Sequence, residues 1–133
     1  MSGITELAQL LKSMSPHLQD GEYAFCTVDG NVADYTHLNP VCFFKESEGL
    51  TLILLADAAQ DAGIAFEGTY KQITLTVHSS LEAVGLTAAI AEKLTQNGIS
   101  ANVVAAYYHD HIFVPTAKAE QAMSALGEFA TLN

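Results

Sequence analysis

The chain has 133 residues, half of them hydrophobic and 15% charged, with 15 acidic side chains against five lysines and a formal net charge of −10. A phosphate backbone is held by clustered Lys and Arg that displace counterions, so this charge excludes nucleic acid as a partner and disfavours anionic membrane surfaces. The longest apolar run, "LTLILLA", is far too short to cross a bilayer, and the composition is that of a globular chain that folds throughout.

Ile4, Leu7, Leu10, Leu11 and Met14 recur at helical spacing, predicting a helix from about Thr5 to Ser13 that Pro16 stops. This start lacks the basic region and small-residue cleavage site of a secretory signal, which implies a cytoplasmic location. Beyond it, "YAFCTV" is rich in aromatic and β-branched residues, and "PVCFFKESEGLTLILL" reads as two strands joined through Glu48 and Gly49. Asp57, with Gln60 three residues on, has the spacing of a capping box for a short helix through "AAQDA", with Gly63 as its left-handed stop. The first half therefore reads αβββα. Cys26 and Cys42 lie in its apolar strands without a C-x-x-C relation, as expected of buried reduced thiols.

In the second half, Ile73, Leu75 and Val77 alternate with Thr74 and Thr76, the period-two pattern of a strand with one buried face. Leu86, Ala89, Ile90 and Leu94 then share one face of a helix closed by Gly98. "SANVVAAYY" and "HIFVP" form a predicted hairpin. The last helix is expected to be capped by Thr116 and to bury Ala119, Ala122, Met123 and Leu126. This half reads βαββα, most of a split βαβ, ferredoxin-like topology. With no Pro-, Gly- or Ser-rich linker between them, the halves meet near Ala65 to Tyr70.

Signatures of phosphate loops, dinucleotide-binding turns, nucleophile elbows and zinc-protease helices are all missing. Cys26 or Cys42 with His78 could form a nucleophilic pair, but no spacing brings them together. His109 and His111, two apart, would share a strand face and offer two metal ligands, whereas a site needs three or four. A third arrangement is the entry of the Leu86 helix: its first amides lack internal partners and carry the positive end of the dipole, and Gly85 lets a carboxylate approach them closely. The plainer alternative is that Gly85 turns the corner and Thr87 caps.

The segment "ITLTVHSSLEAVGLTAAIAEKLTQNGISANVVAAYYHDHIFVP" resembles an ACT domain: strand, ligand loop, "GLTAAIAEKL" helix, the "GIS" that starts the next strand, and a hairpin. The resemblance extends over residues 72 to 129. "NPVCFFKESEGLTLIL" is similar to a second, degenerate unit of the same small bacterial proteins, and the whole looks like the paired units at the regulatory end of aspartate kinases. It implies an α+β fold of two tandem ferredoxin-like βαββαβ-type units, residues 1–66 and 67–133, with antiparallel sheets and helices on one face. Neither half supplies all its strands, so each borrows one from the other or from a second chain.

The resemblance further implies a non-enzymatic regulatory or sensor protein that holds a free amino acid between ACT units, works as a homodimer and needs no cofactor or metal. Val84, Gly85, Leu86 and Thr87 match the loop whose backbone receives the ligand, and Asn102 and Val103 match the strand facing that loop. Asp110 matches an acidic position that lies at the ligand in the arginine sensor of animals. A zwitterion needs amide donors for its carboxylate and an anion for its ammonium, which this set supplies. Without the resemblance, Asp110 would read as a turn aspartate bonding its own backbone. A ligand-free interaction module, or a small hydrolase or isomerase using His109, Asp110 and His111, are the other readings.

Overall fold

The computed structural model describes residues 3–76 and 85–131. Helix α1 (Gly3–Ser13) leads into strand β1 (Ser15–Leu18), then β2 (Tyr23–Val28) and two 3-10 turns (Val32–Asp34 and Thr36–Leu38). Strands β3 (Cys42–Glu46) and β4 (Gly49–Leu55) precede helix α2 (Ala56–Asp61), and β5 (Tyr70–Thr76) precedes α3 (Leu86–Gln96). A hairpin of β6 (Asn102–Ala105) and β7 (Asp110–Pro115) is followed by α4 (Ala119–Gly127). Two units emerge: residues 21–70 are inserted into a unit built from residues 1–20 and 71–133.

The inserted unit carries β3, β4 and β2 as neighbours, with Cys26 opposite Leu52 and Phe43 opposite the same leucine on the other side. Side chains two apart share a face, so Ala24 and Cys26 join Leu50, Leu52 and Leu54 in a core closed by Ala56 and Ala59 of α2. Tyr70 pairs with Tyr23 and closes the unit. The β3–β4 turn is Ser47–Glu48 rather than Glu48–Gly49, because Gly49 already pairs with Glu46.

Where a split βαβ unit has its first helix, this unit has only the two 3-10 turns, which the pattern αβββα did not include. Gly30 at φ 106° and left-handed Asn39 followed by Pro40 bound the segment on either side. The Asn31 amide donates to Asp34 Oδ2 at 3.0 Å and the Tyr35 hydroxyl to the Asp29 carbonyl. Helix α2 is not capped by Asp57. Leu55 holds the cap position and the Ala56 amide donates to the Glu22 carbonyl at 2.8 Å, so the neighbouring backbone does the work of a capping side chain. Its end follows expectation: with Gly63 at φ 72°, the Gly63 amide reaches the Gln60 carbonyl and the Ile64 amide that of Ala59.

The framing unit has the strand order β1-β5-β7-β6. Ser15 pairs with Thr76 and Leu18 with Ile73, so the strand missing from the second half comes from the first 20 residues. Pro16, expected as a helix stop, lies within β1. The helix has already ended at Ser13, and proline is tolerated in a strand that, among the described residues, pairs on one side only. Leu11 and Met14 from the α1 end pack with Ile73, Leu75, Ile112 and Val114, with Leu86, Ile90 and Leu94 of α3, and with Ala119, Ala122 and Leu126 of α4. Those strand residues alternate, which puts the helices on one face of the sheet.

Gly98 ends α3 as predicted: its amide bonds to the Thr95 carbonyl and that of Ile99 to the Leu94 carbonyl, both at 2.9 Å. Thr116 does not cap α4; it opens a 3-10 turn, and Lys118 holds the cap position without a side-chain bond. Met123 is half-buried at the margin of the predicted stripe, and Ala125 is buried in its place.

Candidate functional site

Among the sites suggested by sequence, Val84 lies outside the described residues, as do Val77 and His78. Gly85 holds the N-cap of α3 with φ 94°, a left-handed conformation that L side chains rarely adopt. A Cβ there would stand 3.2 Å from Leu7 Cδ2. No side chain caps this helix, so Thr87, which is exposed, does not fill that role. Leu86 is 3% exposed and belongs to the core, leaving only its backbone for any ligand.

Asp110 is half-buried and opens β7 opposite Ala105; the turn before it is Ala106–His109, closed by the Ala106 amide on the His109 carbonyl. It is therefore a strand residue rather than a turn aspartate. A helical crossover carries α3 from the end of β5 back to the start of β6, so β5 and β6 run parallel. The start of α3 and the β6–β7 turn consequently share one end of this unit, and Gly85, Thr87 and Asp110 belong to that end. Asn102 and Val103 belong to the other: Asn102 pairs with Phe113, three residues along β7, or about 10 Å at strand rise. Its Nδ2 donates to the Phe113 carbonyl at 3.2 Å, while Val103 packs against the helix-side core.

The opposite face of the sheet holds a polar cluster that the sequence reading passed over. Gln19 Nε2 donates to Thr74 Oγ1 at 3.0 Å, and His111 Nδ1 lies 3.0 Å from the same hydroxyl and 3.2 Å from Gln72 Nε2. An amide N–H can only donate, so Nδ1 accepts and neutral His111 carries its proton on Nε2. Thr74 is a buried polar residue at 6% exposure, satisfied from both sides. The alternation of Gln72, Thr74 and Thr76 with buried Ile73 and Leu75 was the available signal. His111 Nδ1 is thus held within this cluster, and two histidines fall short of the three or four ligands that a metal site needs. Among the described residues, no group of three or more His, Cys, Asp or Glu side chains could hold one.

Burial pushes the His111 pKa below its ordinary value and His109 adds to this, while Asp110 opposes it. A group with a folded-state pKa below its unfolded one contributes stability above the unfolded value, about 6.5, and loses it as pH falls through the folded one. Urea unfolding from pH 8 to pH 5 is expected to show a decline in stability below about pH 6.5. In His111→Gln the decline should be shallower; an unchanged slope would discount His111. Elsewhere, Cys26 is buried with its thiol pKa raised by desolvation, and Cys42 is half-buried rather than buried; both are free thiols.

Split βαβ units with helices on one sheet face form an architecture that hosts many functions, so the class of protein is defined by the family its sequence matches. The sequence matches the ACT domain family twice, over residues 2–71 and 67–128. The chain belongs to the ACT domain family and consists of tandem ACT units with the general regulatory, ligand-binding role of that family. A Vibrio cholerae protein of unknown function, described as a possible transport protein, is 60% identical over 97% of this chain and 99% of its own, with a TM-score of 0.90. An Agrobacterium tumefaciens protein is 17% identical over 88% of this chain and 89% of its own, at TM-score 0.68. The ligand-free regulatory subunit of aspartate kinase from Thermus thermophilus is 12% identical over 85% of this chain and 94% of its own, at 0.65. Both likenesses are of fold. None of the curated proteins matches the chain in sequence. Among the described residues, no helix is long and apolar enough to cross a membrane.

Proposed function

We propose that the protein is a cytoplasmic amino-acid sensor of two ACT domains, 1–66 and 67–133, that transmits ligand occupancy to a partner enzyme. The backbone of Val84 to Thr87 receives the ligand carboxylate and Asp110 its ammonium. The observation that carries this reading is the common end of the sheet shared by Gly85, Thr87 and Asp110. Asn102 and Val103 belong to the far end of the same unit, so they serve a ligand at this loop only from another ACT unit. That is why the proposal is of a homodimer with ligand held between units. Association is also favoured by β3, the end strand of its sheet, where Phe44 is 68% exposed and Phe43 45%.

Thermal unfolding against each of the twenty amino acids tests the proposal. A ligand at a hundred times its Kd adds about 2.7 kcal/mol to the stability of the native state, a rise of several degrees in Tm. At least one amino acid is expected to give this shift, with Asp110→Asn losing most of it at unchanged Tm without ligand. A flat panel defeats the reading.

A further inference from the structure

In the inserted unit β2 and β3 both run antiparallel to β4, which lies between them, so the connection from one to the other crosses the sheet over β4. A split βαβ unit makes that crossing with a helix. Here it is made by the two 3-10 turns, whose Val32, Tyr35 and Leu38 pack on the core in which Leu50, Leu52 and Leu54 of β4 are buried. Helix α2, on the same side, packs on β2 and β4.

This cover stops short of β3. Phe43 stands opposite Leu52, which puts it on the helix side of the sheet, yet it is 45% exposed. Val41, whose amide donates to the Ile53 carbonyl, is 49% exposed, and Lys45, opposite Leu50, adds an exposed aliphatic stem. Single exposed apolar side chains are ordinary, but these follow one another along the strand at the place where the crossover helix is missing. From Val41 to Lys45 the strip runs about 14 Å at strand rise, the length of nine or ten helical residues. That accommodates anchors at i, i+3 and i+7 of a docked helix.

Charge selects the occupant. Residues 21–70 carry eight acidic side chains against Lys45 alone, a net charge of −7, so a helix with basic flanks is attracted and an acidic one repelled. This chain has five lysines in 133 residues and no arginine, which makes its own helices poor matches. We propose that the strip on β3 receives an amphipathic helix of a partner protein, apolar along one side and basic along its flanks. A helix seated on this face leaves the outer backbone edge of β3 open, and the proposal does not rest on the ligand site described above.

The probe is a labelled peptide of about 14 residues with leucine at i, i+3, i+7 and i+10 and lysine and alanine elsewhere, titrated with the whole chain by fluorescence anisotropy at low salt. Binding is expected, with a rise in peptide helicity by circular dichroism. It should weaken about tenfold in Phe43→Ser and in Val41→Ser, what covering the exposed part of one such side chain is worth. Phe44→Ser, on the opposite face, and Asp110→Asn should bind as the wild type does. All four residues have exposed or half-buried side chains, and ligand-free Tm checks that each variant folds. Equal binding of a scrambled peptide of the same composition would reduce the effect to charge alone and overturn the proposal. So would undiminished binding to Phe43→Ser, binding without gain of helicity, or no binding. None of these outcomes touches the amino-acid reading, which the thermal panel decides.

Discussion

A fragment of residues 67–133 is expected not to fold, although it spans the whole of the second ACT match at residues 67–128. Cutting there removes β1, which pairs with β5 from Ser15–Thr76 to Leu18–Ile73, and it removes Leu11 and Met14, both buried in the core of that unit. Burial of two such side chains is worth about 1.5–3 kcal/mol each, against a total of about 5–15 kcal/mol for a whole domain. The cut also leaves the edge of β5 unpaired. The measurement is a proton–nitrogen correlation spectrum of the fragment, with narrow amide dispersion expected. A peptide of residues 1–20 added in excess should restore dispersion. A well-dispersed spectrum from the fragment alone would show that the N-terminal segment is dispensable.

Leu94→Ala is expected to cost about 2–5 kcal/mol, the usual range for a fully buried leucine whose surroundings cannot collapse into the space. Leu94 has no exposed surface, and its carbonyl accepts the Ile99 amide that ends α3, so backbone and side chain are both fixed at that point. Urea unfolding should show a lower midpoint at similar slope. Thr95→Ala, one residue on and exposed, should cost well under this, since its hydroxyl only donates back to the Ala91 carbonyl. Equal losses in the two variants would contradict the core described for this unit.

The elements legible in the sequence are those whose pattern reports burial directly. β5 alternates apolar with polar residues, β2 is dense in aromatic and β-branched ones, and α2 and α3 end on glycines that bond as expected of left-handed stops. β1 was illegible because "SPHL" has no buried alternation, being half-buried only at Pro16; what makes it a strand is the edge that β5 offers, 55 to 61 residues away. Asp57 misled for a related reason: a carbonyl from Glu22, remote in sequence, fills the place of a cap. The candidate site divides in the same way. Gly85 and Asp110 were found by residue type and resemblance, whereas their shared end of the sheet follows from the crossover.

The insertion of residues 21–70 bears on the order in which the chain folds. Tyr23 and Tyr70 are paired, so once the insert has folded its two ends leave it side by side. Closing a flexible loop of n residues costs entropy that grows as about (3/2)RT ln n, and bringing β1 to β5 across an unfolded insert would carry that full term. A folded insert replaces it with a short closure, so the contiguous unit is expected to form first and act as a template on which the first and last segments meet. On the ribosome the same geometry delays the framing unit until β7 and α4 have emerged, leaving the N-terminal helix without its core for most of synthesis.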